Sequence, residues 1–261
     1  WYCSLYGSWG HMMQRVCNPS VTVPDCFELP DPGDLVTDGV RWGRVDQLFT
    51  PAYWAAQAWF SRGQCDCSNY RIGATLTEEV AACLLGGHGI PAEVALAAFF
   101  RIRDLGLLRG DVPSTEELRS VLRQPLDVRG KSILYRFARQ KSEYLGEFLR
   151  CATSVCTKAM TDLQLRGWLL SFRGIGLKTA SWITRNWLAS DSVAIIDIHI
   201  YRAGIIAGFF SPHQKVPKDY LTLEERFLGF AQALSLRASL LDAIIWQHMR
   251  AAGRMALAWA C

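Results

Sequence analysis

Apolar residues recur at helical spacing along most of the chain from about residue 50 onward. A helix N-cap, or a proline suited to a first helical turn, precedes each of these runs. The Thr75, Ser114 and Thr222 starts also have a glutamate three residues later, the spacing of a capping box. Such starts are found at Thr50, Thr75, Pro91, Ser114 and Thr222. Alternating strand patterns are almost absent, so the pattern predicts an all-α fold.

The first 48 residues do not share this pattern, being rich in glycine, proline, aromatic residues and cysteine. Asp38-Gly39 lies between two valines and predicts a tight hairpin turn. The rest of this segment has no clear structural signal. We therefore divide the chain into an N-terminal extension, residues 1–48, and a helical domain, residues 49–261.

Positive charge is concentrated in one stretch rather than spread along the chain. The formal net charge is only +4, whereas residues 119–158 carry nine Lys or Arg against three acidic residues. Arg136 and Arg139 alternate here with aromatic residues, an arrangement suited to a helix lying along a phosphate backbone. A solvated helix face is an equal alternative for this stretch alone.

Nine cysteines are scattered without a CxxC pair or any recognisable zinc or iron–sulfur spacing. This predicts reduced thiols, no metal site and a cytoplasmic protein. No apolar run reaches the length of a membrane span, so no membrane partner is expected.

Residues 165–204 contain the most informative pattern. A helix that ends near Phe172 is followed by Gly174-Ile175-Gly176, and a second helix then begins through Lys178. Such a turn exposes backbone N–H groups at the positive end of the second helix, where a phosphate oxygen binds well. The same turn also joins helices that bind nothing, so the motif alone leaves both interpretations open.

An apolar, β-branched run, residues 192–196, predicts a buried extended segment that leads to Asp197. A chain that climbs a helix of about ten residues, roughly 15 Å long, and returns extended can place Asp197 beside Lys178. An apolar setting and the helix dipole would favour the neutral amine of Lys178, the form that attacks carbon. The alternative role of Asp197 is the N-cap of a helix that starts near Ile198, and a catalytic carboxylate could serve as that cap as well.

The segment 165–204 resembles the helix-hairpin-helix motif of the HhH-GPD superfamily of DNA glycosylases, and within it the 8-oxoguanine DNA glycosylases. The resemblance rests on Gly174 and Gly176, on Lys178, and on Asp197 nineteen residues later. The resemblance extends, less strongly, backward to about residue 78 and forward to about residue 250. It implies a two-lobed helical fold with an active-site cleft between the lobes. Ile196 stands where a proline is common, and the four cysteines of the endonuclease III branch have no counterpart, which disfavours that branch.

The resemblance also implies residues that contact the base and the DNA. Asp242 and Trp246 are one helical turn apart, so Trp246 can stack on a flipped purine while Asp242 accepts a hydrogen bond from it. A core tryptophan and a capping aspartate are the alternative. His88 corresponds to a residue that fills the gap left by the base, and His199 to a histidine near the DNA backbone. Simple solvent exposure and a structural histidine are the respective alternatives.

These features predict a bifunctional DNA glycosylase and AP lyase that acts as a monomer on duplex DNA, with 8-oxoguanine the first choice of substrate. Lys178 would form a Schiff base with the sugar, Asp197 would stabilise the positive charge, and no cofactor would be required. One alternative keeps the fold but excises another base, such as a hypermodified cytosine or an alkylated purine. The other is a non-catalytic helix-hairpin-helix module that only binds DNA.

Overall fold

The structure is a computed structural model that describes residues 2–6, 12–18, 25–62, 70–87, 89–152 and 159–253. The described residues contain ten helices and only small sheets, which confirms the predicted, predominantly helical fold. The described helices are α1 (Pro51–Phe60), α2 (Leu76–Leu85), α3 (Ala92–Asp104), α4 (Thr115–Arg123), α5 (Ala138–Ala152), α6 (Asp162–Leu169), α7 (Leu177–Leu188), α8 (Ile198–Ala207), α9 (Tyr220–Ala233) and α10 (Ala238–Ala252). The described strands are β1 (Tyr2–Tyr6), β2 (Met12–Asn18), β3 (Asp25–Leu29), β4 (Leu35–Thr37), β5 (Val40–Arg41), β6 (Leu126–Val128) and β7 (Lys131–Ile133).

The chain divides into two compact units. We call them the terminal unit, built from the described parts of residues 1–68 and 191–261, and the central unit, residues 69–190. The predicted boundary at residue 48 stays a prediction.

The N-terminal part of the terminal unit contains two small antiparallel sheets, of which the sequence pattern predicted only the second. Strands β1, β2 and β3 pair in chain order, and Cys17 faces Cys26 in the register of β2 with β3. These two cysteines form a disulfide, so the prediction of nine reduced thiols is wrong for this pair. Strands β4 and β5 form the predicted hairpin, whose Gly39 has a φ of +74°. Four other cysteines, Cys65, Cys67, Cys156 and Cys261, lie outside the described residues.

The helices of the terminal unit pack around α10, which contacts α1, α8 and α9. Trp54 of α1 is fully buried, and Phe209 stacks on Phe230 with ring centroids 4.1 Å apart. Helix α9 begins at Tyr220 instead of Thr222, so that predicted start is wrong. Among the described residues no single helix meets the length and hydropathy of a membrane span; α9 and α10 do so only together, across a 103° bend.

The central unit is built around α2, whose apolar side chains are buried against α3, α5 and α7. The carboxylate of Glu79 accepts hydrogen bonds from the backbone N–H groups of Ile72 and Gly73 and from Asn186 of α7. These donors satisfy the buried carboxylate, which links the end of α7 to the start of α2.

The basic stretch does not form one helix. Strands β6 and β7 form a hairpin across Arg129 and Gly130, both at positive φ, and α5 begins only at Ala138. The predicted helix is therefore wrong for residues 124–137, which include Arg129, Lys131 and Arg136. Lys158, at the end of the stretch, lies outside the described residues.

Candidate active site

The glycine turn between α6 and α7 has the predicted form. Gly174 has a φ of +84°, and a Cβ placed there would lie 2.1 Å from Tyr144 Cδ2. Gly176 has an ordinary φ of −94°, and a Cβ there would meet no protein atom within 4 Å. The packing of the central unit therefore requires glycine at position 174 but not at position 176. Helix α6 ends at Leu169, three residues before its predicted end.

Within the part of the chain that the structure describes, the first backbone N–H groups of helix α7 have no hydrogen-bonding partner. Gly176 is its N-cap and supplies no side-chain hydrogen bond, and the first turn contains no acidic residue. The first intrahelical bond runs from Ala180 N to Gly176 O at 2.9 Å. The N–H groups ahead of it and the positive end of the helix dipole together form a site suited to an anion.

Lys178 lies in the first turn of α7, on its exposed face. The expected apolar setting for this lysine is therefore wrong. The opposite face of α7, with Ala180 and Ile183, is buried in the core of the central unit. The ammonium group of Lys178 is accessible to a substrate that binds at the N-terminus of the helix.

Asp197 follows a buried extended segment, as predicted. Residues 193–196 are buried and form no regular strand or helix. Asp197 is the N-cap of α8, and its Oδ1 accepts hydrogen bonds from His199 N at 2.8 Å and Ile200 N at 2.9 Å. The cap uses one carboxylate oxygen, and within the described residues Oδ2 accepts no hydrogen bond. Asp197 can therefore cap α8 and still present an oxygen to a ligand.

Lys178 belongs to the central unit and Asp197 to the terminal unit. Their approach to one another stays a prediction from the sequence resemblance.

The pair on α10 differs in exposure. Asp242 is 4% exposed, whereas Trp246 is 39% exposed, so Trp246 is not a core residue. Arg250 lies over the Trp246 ring, 5.0 Å from the ring centre, and the ring of His199 meets it edge-on at 6.3 Å. Helices α8 and α10 therefore bring three predicted site residues, His199, Asp242 and Trp246, onto neighbouring parts of the terminal unit.

The turn after α2 is held by the side chains of Tyr135 and Lys141, a role that no sequence pattern indicated. The Tyr135 hydroxyl donates to Leu85 O at 2.5 Å, and Lys141 Nζ donates to Leu84 O and Gly86 O at 2.6 and 3.0 Å. Burial lowers the pKa of Lys141. Lys141 is therefore committed to the C-terminal carbonyls of α2. His88, predicted to fill the gap in DNA, lies outside the described residues.

Arg136 and Arg139 lie at the surface of the central unit. Arg136 lies over the Phe137 ring, 5.1 Å from its centre, and beside Gly89. Arg139 is 81% exposed and forms an ion pair with Glu143 at 3.4 Å. Both guanidinium groups are accessible to a phosphate backbone. Among the described residues no three His, Cys, Asp or Glu side chains cluster in a way that could hold a metal.

Comparison with known proteins gives the geometry its context. The family profile described as 8-oxoguanine DNA glycosylase (Ogg-HhH) matches residues 68–236, well over half of the chain. The chain belongs to this family. The matched range contains the glycine turn, Lys178 and Asp197, and it ends before Asp242 and Trp246.

Named relatives are similar to this protein over parts of the chain. The 8-oxoguanine DNA glycosylase/AP lyase of Metallosphaera sedula is 33% identical over 164 residues, 58% of this chain and 72% of that protein. The Methanocaldococcus jannaschii enzyme of the same name is 30% identical over 129 residues, 48% of this chain and 62%, less than two thirds, of that protein.

Solved structures of the family share the fold. The 8-oxoguanine DNA glycosylase of Thermotoga maritima is 25% identical with a TM-score of 0.53, covering 66% of this chain and 78% of its own. The M. jannaschii 8-oxoguanine glycosylase/lyase, in complex with a 15mer DNA containing 8-oxoguanine, is 22% identical with a TM-score of 0.54, covering 76% and 88%. At this identity the second comparison shows the fold alone.

Proposed function

We propose that this protein is a bifunctional DNA glycosylase and AP lyase that removes 8-oxoguanine from duplex DNA. The observation that carries the proposal is Lys178, an accessible lysine in the first turn of a helix whose open N-terminus follows a glycine turn. A non-catalytic module has no need of a lysine there. Membership of the 8-oxoguanine DNA glycosylase family supports the same reaction and lesion.

Lys178 acts as the nucleophile in this proposal. Its neutral amine attacks C1′ of the flipped nucleotide, and the C1′–N bond breaks as the base leaves with the electron pair and takes up a proton. The sugar ring then opens to give a protonated imine. Loss of a C2′ proton expels the 3′ phosphate and cuts the strand.

Asp197 stabilises the positive charge that develops on the sugar as the glycosidic bond breaks. Its Oδ1 is held by the N-terminus of α8, and Oδ2 is the oxygen that would face the sugar and accept a proton. The mechanism uses only protein side chains and water.

The DNA backbone would bind at two places in the central unit. A phosphate oxygen would accept hydrogen bonds from the open N–H groups of α7, where the absence of a side chain at Gly176 lets the backbone approach. Arg136 and Arg139 would add sequence-independent contacts to neighbouring phosphates. We propose that a single copy of the chain, in the cytoplasm, performs the whole reaction.

Base selection would depend on α10. Oxidation of guanine to 8-oxoguanine changes N7 from a hydrogen-bond acceptor to a donor, and a buried carboxylate such as Asp242 prefers a donor. Leaving that carboxylate opposite the guanine lone pair would cost about 1–3 kcal/mol, roughly tenfold or more in selectivity. Arg250 covers one part of the Trp246 ring, so the base would stack on the remaining exposed surface.

Borohydride trapping tests the proposal directly. Wild-type protein and Lys178→Gln are incubated with duplexes that each carry one modified base, including 8-oxoguanine, a hypermodified cytosine and an alkylated purine. Wild type should be trapped on 8-oxoguanine DNA, and Lys178→Gln should bind it without being trapped. Lys131→Gln, at an exposed lysine of β7, is the matched control and should be trapped like wild type.

The result separates the alternatives. Trapping on a different base would keep the mechanism and change the substrate. Binding without trapping on every duplex would indicate a non-catalytic DNA-binding module. Asp242→Asn and Trp246→Ala should slow the single-turnover excision of 8-oxoguanine, with much less effect on affinity for an abasic analogue.

A further inference from the structure

Among the described residues no strand pairs with the segment that leads to Asp197, so its buried backbone needs side chains as hydrogen-bonding partners. We call residues 191–197 the strap. Its first residue is held by α10: the Asp191 carboxylate accepts hydrogen bonds from Ser239 N at 2.8 Å and Arg237 Nε at 2.7 Å. Burial alone would raise the pKa of Asp191, but these hydrogen bonds outweigh it and lower the pKa.

Helix α9 holds the middle of the strap. The Tyr220 hydroxyl donates to Ala194 O at 2.8 Å and accepts from Ile196 N at 3.2 Å. Glu224, one helical turn later, accepts from Ala194 N at 2.9 Å. Tyr220 and Glu224 are 2% and 5% exposed, so water does not compete effectively for these bonds.

The Tyr220 hydroxyl reaches the residue immediately before Asp197. Since it bonds to groups on both sides of Ile195, it fixes the direction in which the chain enters the cap of α8. Asp197 Oδ1 is already fixed by that cap, so any shift in the strap would displace the cap and carboxylate together. A displacement of about 1 Å at a catalytic group can reduce a rate by about 10²-fold.

We propose that Tyr220, assisted by Glu224, is a positioning residue for Asp197 in base excision. This inference rests on the proposed function, because it assigns Asp197 a part in the reaction. Tyr220 acts through the strap and has no role in contacting DNA. Removal of its hydroxyl should therefore slow the chemical step and leave DNA affinity unchanged.

Tyr220→Phe tests the inference, because it keeps the ring and its packing and removes only the hydroxyl. Tyr201→Phe is the matched control: the Tyr201 hydroxyl, on α8 in the same unit, donates to Gln214 O at 2.6 Å and does not contact the strap. Single-turnover excision of 8-oxoguanine and affinity for a duplex with an abasic analogue are measured for both. Tyr220→Phe should excise about tenfold or more slowly with affinity within about twofold of wild type, and Tyr201→Phe should match wild type in both.

A second comparison removes the ambiguity between positioning and general destabilisation. In an Asp197→Asn background there is no carboxylate left to position, so Tyr220→Phe should cause no further loss of excision rate. Glu224→Gln retains an acceptor oxygen and should stay close to wild type, while Glu224→Ala should show the same split as Tyr220→Phe. The Glu224 pair keeps the test available if Tyr220→Phe does not fold.

Two results would overturn the inference: full excision activity in Tyr220→Phe, or an equal loss from that substitution with and without Asp197. Wild-type protein that releases no base from any duplex would instead overturn the proposed function itself.

Discussion

Alanine substitutions at the two glycines of the hairpin should have opposite consequences, although the residues are only two positions apart. Gly174→Ala should destabilise the protein, because residue 174 has a left-handed backbone and its Cβ would overlap the Tyr144 ring. Gly176→Ala should leave the fold nearly intact, because its φ of −94° suits any residue and the space beside it is open. It should instead weaken DNA binding.

The structure allows the magnitudes to be estimated. The left-handed conformation costs an alanine about 1–2 kcal/mol. The 2.1 Å approach to Tyr144, whose hydroxyl accepts a hydrogen bond from Gln140, adds an overpacking cost of about 1–3 kcal/mol. A total of about 2–5 kcal/mol lowers Tm by roughly 5–15 °C in a domain of this size. At position 176 alanine is a poorer N-cap than glycine, by no more than about 1 kcal/mol.

Two measurements check this pair. Thermal unfolding without DNA should place Gly174→Ala well below wild type and Gly176→Ala within a few degrees of it. Fluorescence anisotropy with a duplex that contains an abasic analogue should show about tenfold weaker binding for Gly176→Ala, equal to about 1.4 kcal/mol. The reasoning would be refuted if Gly176→Ala bound DNA like wild type, or if Gly174→Ala kept the wild-type Tm.

Three further predictions concern charge and titration. Arg136→Ala and Arg139→Ala should each weaken binding equally on unrelated duplexes and reduce the slope of log affinity against log salt by about one unit, as measured by a salt titration. Lys141→Met should lower the free energy of unfolding in urea by about 2–3 kcal/mol, because two carbonyls at the end of α2 lose a charged donor. As a control, Lys131→Met at an exposed lysine should change this free energy by less than about 0.5 kcal/mol. Burial lowers the pKa of His248, which is hydrogen-bonded to Tyr53. The unfolded chain therefore protonates this histidine more readily than the folded protein does. The free energy of unfolding should fall as the pH drops through about 6.5 toward the lower pKa of the folded state. Urea midpoints at pH 7.5 and 5.5 should show this loss, and His248→Asn should have a smaller pH dependence.

Local chemistry was sufficient to predict the helical architecture and the hairpin. Thr50 and Thr75 accept the N-cap hydrogen bonds that their positions predicted, because a cap depends on residues only three apart. The turn at Gly174 was predictable for the same reason. The sequence allowed Asp197 to cap α8 and to serve the reaction as well, and the structure shows the cap while leaving the second role available.

Contacts between distant residues were beyond such reasoning. Glu224 lies 30 residues from Ala194, and Tyr135 lies 50 residues from Leu85, so no local spacing connects them. The i, i+4 spacing of Tyr220 and Glu224 on an apolar helix was the one available signal, since a buried polar pair on one face requires partners. The exposure of Lys178 was missed because the sequence does not show which face of α7 meets the core.

The order of the two units along the chain has a consequence for how the protein is made. The central unit is one continuous segment, residues 69–190, and can collapse on its own core as soon as it leaves the ribosome. The terminal unit combines segments that precede and follow the central unit, because α1 packs against α10. During synthesis α1 must therefore wait until α10 has been made, by which time residues 69–190 have already been synthesised.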